Sequence, residues 1–230
     1  MSPGAHEAAA AVGGAREGAR LLFGARSGMR SHLQSWRPFI CPIDDVLRWV
    51  SNDATVFDIG CGAGLLPGLL VLRGHQVSIT GVDASPSAIA LAREMAECLD
   101  GKPSLSFRVT ATTAEWPAGP FDIVMMVDVL HHIPPAVQQS FVSDALARVA
   151  PGGRFVYKDM ARRPLLHAAA NRLHDLVIAR EWIHYVDPAV VTSLATAAGL
   201  RPRHVSHHRQ WWYAHDLLVF DRPVRTHETP

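Results

Sequence analysis

The sequence predicts an α/β protein built on a doubly wound, mainly parallel sheet of seven strands. Three observations predict it. Short apolar runs alternate along the chain with stretches of helical period. A glycine-rich loop, DIGCGAG (Asp58–Gly64), stands between the first such run and the helix that follows it. The last two runs are joined only by RQWWY, too short for a parallel crossover. They are therefore expected to pair as a hairpin, which puts one antiparallel strand near the sheet edge.

Residues 1–40 read as an N-terminal extension, and 41–230 as the domain, with an insertion at about 161–187. The first 30 residues are rich in Ala, Gly and Arg and poor in acids, as transit peptides are. They lack an apolar core followed by a cleavage site. A frayed or loosely helical extension is expected there.

From Pro42 to Ser51, Ile43, Val46, Leu47 and Val50 share one helical face. ATVFDIG is a short apolar strand. Gly64–Gly74 is helical in pattern, with Pro67 tolerated in its first turn and Gly74 as its stop. His75–Asp83 is the second strand. Ser85 caps the next helix, with Pro86 at its first position. Ser104–Thr110 alternates as a third strand, and Phe121–Asp128 is a buried fourth. Pro135–Ala150 is a helix expected to turn Val137, Phe141, Leu146 and Val149 inward. Gly152–Met160 is the fifth strand. A long helical stretch follows over Pro164–Trp182, then a helix capped by Asp187 and ended by Gly199. Strands over Pro202–His208 and Ala214–Phe220 close the chain.

Composition bounds the partners. With 22 basic and 21 acidic residues the net charge is +1, which gives no global attraction to nucleic acid or to an anionic membrane. Cys41, Cys61 and Cys98 are far apart and show no C-x-x-C spacing, so neither a disulfide framework nor a zinc knuckle is expected. A reducing, cytoplasmic setting fits. No run approaches the roughly 18 apolar residues that a membrane span needs.

The glycine loop narrows the ligand. A pyrophosphate fingerprint needs G-x-G-x-x-G, but here the glycines are Gly60, Gly62 and Gly64, and Leu65 holds the third position of that fingerprint. No G-K-[ST] follows. Asp83 ends the second strand, where a carboxylate accepts hydrogen bonds from ribose hydroxyls. A ligand with a ribose and no pyrophosphate is expected.

On these residues the chain resembles a class I S-adenosylmethionine-dependent methyltransferase of the broad small-molecule type. VFDIGCGAG is similar to the family's first motif, GVDAS to its second, FDIVMMVDVLHHI to its fourth, and LARVAPGGRFVY to the segment entering strand five. The resemblance implies a Rossmann-like sheet of order 3-2-1-4-5-7-6. It implies S-adenosylmethionine as cofactor, S-adenosylhomocysteine as product and no metal. By position, Asp58, Gly60, Cys61, Gly62 and Gly64 would hold the methionine part, with the glycine backbone where a side chain would clash. Asp58 would fix its ammonium. Asp83 and Ala84 would meet the ribose, and Asp128 would border the transferring methyl. The family's usual acid against the adenine falls on Thr112, with Thr113 beside it and Glu115 as a substitute. Duller roles stand beside these: Gly64 as a packing residue, Asp83 as a helix cap, Cys61 as a small filler.

A sulfonium methyl is already activated, so orientation and exclusion of water do most of the work. A hydroxyl or enol acceptor also needs a base, and histidine suits neutral pH. His131 and His132 follow strand four. His167, Asn171 and His174 form a stripe on the insertion, and Trp182, His184 and Tyr185 stand at its exit. His131, His132, His174, His184 and Tyr185 are therefore the candidate catalytic residues, against a loop-holding or solvated role for each. Arg30, Trp36 and Arg37, just before the domain, are placed to meet the cofactor carboxylate or an acidic substrate.

The function expected is methyl transfer to an oxygen or carbon of a small aromatic, quinone-like or lipid-like acceptor, by a monomer or homodimer. Two alternatives remain: nucleic-acid or protein methylation, and cofactor binding without catalysis. Against the first, DVLHH stands where amino-group methylators carry N-P-P-[FYW], and no basic stripe is evident.

Overall fold

The structure, a computed structural model, describes residues 13–24, 29–99, 104–161, 184, 186–210 and 213–224. Two compact units divide the chain at Trp116. The strand order is β3-β2-β1-β4-β5-β7-β6, as expected.

The first unit opens with helices α1 (Ala15–Phe23), α2 (Met29–Ile40) and α3 (Ile43–Leu47). In α1, Ala15, Ala19, Leu22 and Phe23 recur at helical spacing and are buried. A Cβ on Gly68 would sit 2.7 Å from a Leu22 methyl, so this helix packs where the chain has no side chain. The Arg16 guanidinium lies 4.6 Å from the Phe39 ring, and the Ala15 N–H donates to Asp44 at 3.1 Å. Thus part of the stretch read as frayed or loosely helical is a packed helix, because its apolar spacing has a partner surface.

Strand β1 (Thr55–Ile59) leads into α4 (Leu65–Leu72), then β2 (Ser78–Asp83), α5 (Pro86–Glu97) and β3 (Ser104–Val109). The three strands pair in parallel, with Asp58 beside Gly81 and Asp83 beside Val109. Parallel strands covered on both faces are mostly apolar runs, and in β1 Val56, Phe57 and Ile59 are buried beside the single acid Asp58. Ser85 caps α5 as expected, accepting from the Ala88 N–H at 3.3 Å.

The second unit contains β4 (Phe121–Val127), α6 (Pro135–Ala147), β5 (Val149–Met160), α7 (Pro188–Ala197), β6 (Arg201–Gln210) and β7 (Tyr213–Asp221). Strands β4 and β5 are parallel; β7 runs antiparallel to both β5 and β6, the expected hairpin. Asp187 caps α7 by accepting from the Ala189 N–H at 2.9 Å.

The inward face of α6 differs from expectation. Val137 is 47% exposed and Phe141 half-buried, while Leu146 is buried as expected, together with Val142 and Ala145. The buried stripe runs i, i+3, i+4 from Val142, one position on from Phe141. Val149 is buried too, as the first residue of β5, three residues earlier than the turn PGG suggests. The expected helix over Pro164–Trp182, with His167, Asn171, His174 and Trp182, lies outside the described residues, as does Tyr185.

Candidate active site

The glycine loop turns at the carboxyl end of β1. Gly60, Gly62 and Gly64 have φ of 69°, 56° and 79°, the left-handed region that favours glycine. The three differ in purpose where their surroundings are described. A Cβ on Gly62 would meet nothing within 4 Å among the described residues. A Cβ on Gly64 would meet Met95 at 2.7 Å and Ala92 and Phe107 at 3.3 Å. Gly64 thus lets α5 and β3 close in, whereas Gly62 keeps a space open.

Asp83 ties the loop down. Its carboxylate accepts from the Gly62 N–H at 2.9 Å and from the Ser85 N–H at 2.8 Å. One residue therefore both braces the loop and caps the turn into α5, and each oxygen keeps a lone pair for a further donor. Ala84 follows, exposed. Thr110, at the end of β3, donates its N–H to the Asp83 carbonyl at 3.1 Å. Beyond it, Glu115 accepts from the Ala111 N–H at 2.6 Å and so shapes the turn that carries exposed Thr112 and half-buried Thr113.

Asp58 is the unusual member. It is 1% exposed, and its Oδ2 has no hydrogen-bond partner among the described residues. Burial pushes its pKa up to about 7; Arg37 opposes that and Asp83 adds to it. A buried carboxylate left half satisfied is costly. An ammonium group brought to Oδ2 supplies the missing partner. The donor set fits the methionine end of S-adenosylmethionine on this observation: an orphaned acid, an arginine acting on it, and an open place over Gly62. Cys61 beside them is buried, its sulfur would lie 2.8 Å from a Cβ on Gly81, and burial raises its thiol pKa above the ordinary value.

A second polar group is built within the second unit. Asp128 follows β4 with φ of 58°, an uncommon conformation for a residue other than glycine. Its carboxylate accepts from Lys158 Nζ at 2.6 Å, and the Lys158 side chain is fully buried. His131 lies in a 3-10 turn, Leu130–His132. Its Nδ1 is paired with Asp159 Oδ1, and its backbone N–H donates to Asp159 Oδ2 at 3.2 Å. Tyr157 adds its hydroxyl to Asp159 Oδ2 at 3.4 Å. Of the two adjacent histidines, His131 is buried and His132 exposed, their rings 4.0 Å apart. The His184 N–H donates to the His131 carbonyl at 2.9 Å. The structure therefore brings His184 to His131 through its backbone; His174 and Tyr185 fall outside the described residues.

Lys158 and Asp159 were not singled out from the sequence. The signal was present: two adjacent charges close a strand, FVYKDM, that is otherwise buried and mostly apolar. Charges in such a run need partners. Which partners they find depends on the fold.

Known proteins add the following. A family model described as a methyltransferase domain matches residues 26–205. A ubiquinone biosynthesis O-methyltransferase from Paramagnetospirillum magneticum is 29% identical over 169 residues, which cover 71% of this chain and 66% of that protein. The chain thus spans just under two thirds of that relative's length. Among solved structures, magnesium protoporphyrin IX methyltransferase from Synechocystis PCC 6803 with bound S-adenosylhomocysteine superposes with a TM-score of 0.67 at 18% identity. That match covers 90% of this chain and 93% of the other. The [4+2]-cyclase SpnF superposes with a TM-score of 0.64 at 15% identity, over 80% and 81% of the two chains. At such identities the likeness is one of fold, and a cyclase on the same fold shows that the fold alone does not name a reaction.

Proposed function

From the premise that the chain belongs to the methyltransferase-domain family, among the class I S-adenosylmethionine-dependent enzymes, we propose that it methylates a hydroxyl oxygen of a small aromatic or quinone-like acceptor. The ubiquinone biosynthesis O-methyltransferases it resembles support that acceptor class. When bound, S-adenosylmethionine supplies an activated sulfonium methyl group.

The chain's own residues divide the remaining work. Asp58 Oδ2 holds the ammonium and Arg37 the carboxylate of the methionine part. Asp83 accepts from the ribose hydroxyls. The open place over Gly62 admits the chain between them. Thr112 and Thr113 offer hydroxyls to the adenine, in place of an acid.

The observation that carries the oxygen acceptor is the pairing of His131 with Asp159. With Nδ1–H given to the carboxylate, the ring is held as the tautomer whose Nε2 carries a lone pair. Nε2 takes the hydroxyl proton as the oxygen attacks the methyl carbon. The bound sulfonium would supply the methyl to that oxygen and leave as the neutral thioether, and Asp159 would balance the imidazolium on His131. An activated amine nucleophile does not require a base in this way.

The test is transfer of labelled methyl from S-adenosylmethionine to a panel of phenols, catechols, quinols, hydroxy acids and acyl thioesters, with a protein extract and nucleic acid as further acceptors. Label on a phenolic or catecholic oxygen, with loss of at least 100-fold in His131→Gln, is the expected result. Label only on carbon, protein or nucleic acid would overturn the acceptor class. Calorimetric failure to bind both cofactor and demethylated product would overturn the enzyme reading itself.

A further inference from the structure

His131 and Asp159 are one end of a longer row of charges. Asp159 on β5 stands directly opposite Asp216 on β7, and Asp216 stands directly opposite His207 on β6. Opposed residues of an antiparallel pair share a face, with Cβ atoms about 5 Å apart. His207 Nδ1 is paired with Asp216 Oδ1, as His131 Nδ1 is with Asp159 Oδ1. The row therefore reads His131, Asp159, Asp216, His207. Side-chain exposure along it is 2%, 4%, 7% and 72%. It leads from a buried ring to the outermost strand of the sheet.

Its neighbours make the row conspicuous. Tyr157 pairs with Leu218 and Phe155 with Phe220, so the same face is aromatic and aliphatic from there on. Two carboxylates opposed in such surroundings repel each other, and like charges there cannot both stay ionised without counter-charge. Burial and Asp159 hold the Asp216 carboxyl above its ordinary range, while His207 works the other way; Asp187, at the start of α7, adds a third acid. Around Asp159, among the described residues, Tyr157 and His131 are the further titratable partners that it pairs with. Tyr157 also feels Asp128, which is paired with Lys158.

Resting on the reading of His131 as the base, we propose that Asp216 and His207 are positioning residues for it. By pairing Asp216, His207 keeps that acid from competing for the proton at Asp159, whose carboxylate stays an acceptor for His131 beside the Tyr157 hydroxyl and the Met160 N–H, and the ring keeps its Nδ1–H tautomer. Without His207 the opposed acids share a proton, as close carboxyl pairs do. Asp159 then accepts less strongly, and the imidazolium of His131 loses support.

The experiment needs no acceptor. In the full chain labelled with ¹⁵N-histidine, the His131 Nδ1–H resonance and the ring's titration midpoint are followed by NMR in wild type, His207→Gln and His207→Arg. His207 is exposed, so neither variant threatens folding. The expected result for His207→Gln is an upfield move of the Nδ1–H signal and a fall of about 0.5 pH unit in the midpoint, roughly threefold in proton affinity. His207→Arg, which places a fixed cation and a donor opposite Asp216, restores both. A His131 signal and midpoint unchanged in His207→Gln would overturn the proposal. So would a shift that His207→Arg fails to restore. Methyl transfer by His131→Gln separates the two readings: an unimpaired rate removes the base, and the catalytic meaning of the row with it. A lost rate beside an unmoved NMR signal removes the row alone.

Discussion

Lys158 and Asp128 form an ion pair whose ammonium is wholly buried and lies 2.6 Å from the carboxylate. The pair links β5 to the residue after β4, and it is reinforced by the Asp128 N–H donating to the Lys158 carbonyl at 2.8 Å. It holds Asp128 in a left-handed conformation that its own backbone disfavours. Removing one partner of such a pair strands the other charge. Lys158→Met is expected to lower unfolding stability by about 3 kcal/mol, and adding Asp128→Asn to recover part of that loss. Urea unfolding of the two single variants and the double variant checks this; additive losses would show that the pair contributes nothing as a pair.

The raised pKa of Asp58 makes the stability of the cofactor-free protein depend on pH. The folded chain holds this proton up to about pH 7, the unfolded chain only to its ordinary carboxylate value. Between those values the folded state binds more protons, so stability falls as pH rises through the window, by about 1.4 kcal/mol for each tenfold difference in proton affinity. Asp58→Asn is expected to flatten that slope, to stabilise the free protein at pH 7.5, and to weaken cofactor binding at least tenfold. Thermal unfolding from pH 5 to 8 and calorimetry read the two effects separately. Wild-type binding at pH 7 is also expected to release about half a proton per molecule, visible as a dependence of the heat on the buffer.

Two glycines of one loop are expected to fail differently. Gly62→Ala adds a methyl group where no atom of the described residues stands within 4 Å. It costs roughly 1 kcal/mol in backbone strain and acts mainly on cofactor affinity. Gly64→Ala drives its methyl into Met95, Ala92 and Phe107, and carries the same strain. Its loss is expected in stability, about 2 kcal/mol or more. Equal effects of both variants on melting temperature would contradict this division.

The three thiols also sort by surroundings. Cys98 is exposed, while Cys41 and Cys61 are buried, and the Cys61 thiol is raised by burial and by Asp58 and Asp83. Mass spectrometry after brief iodoacetamide treatment of the native protein is expected to find Cys98 labelled first and Cys61 untouched. Early labelling of Cys61 would mean that it is open to solvent and no filler.

Much of the fold was legible because its signals are local. Ser85 and Asp187 cap helices by contacts within three residues, and the short RQWWY link leaves its flanking strands no arrangement but a hairpin. The loop at Asp58–Gly64 was equally readable, since its glycines answer to backbone angles. The phase of α6 was not. Val137, Phe141 and Leu146 fit one stripe and Val142, Ala145 and Leu146 another, and only the surface beneath selects between them. Likewise Gly62 and Gly64 look alike in sequence; what stands next to each decides which one leaves room for a ligand.

By itself the sequence determined the succession of strands and helices, the hairpin at the end and the glycine loop at Asp58–Gly64. Each depends on residues close in the chain, where propensity, spacing and capping act directly. Tertiary structure alone decided that Asp159, 28 residues from His131, takes its ring, that Lys158 reaches Asp128 across 30 residues, and that Asp216 and His207 complete the row. These pairings arise because strand register sets charges side by side in an apolar sheet, where an unpaired charge is too costly to leave.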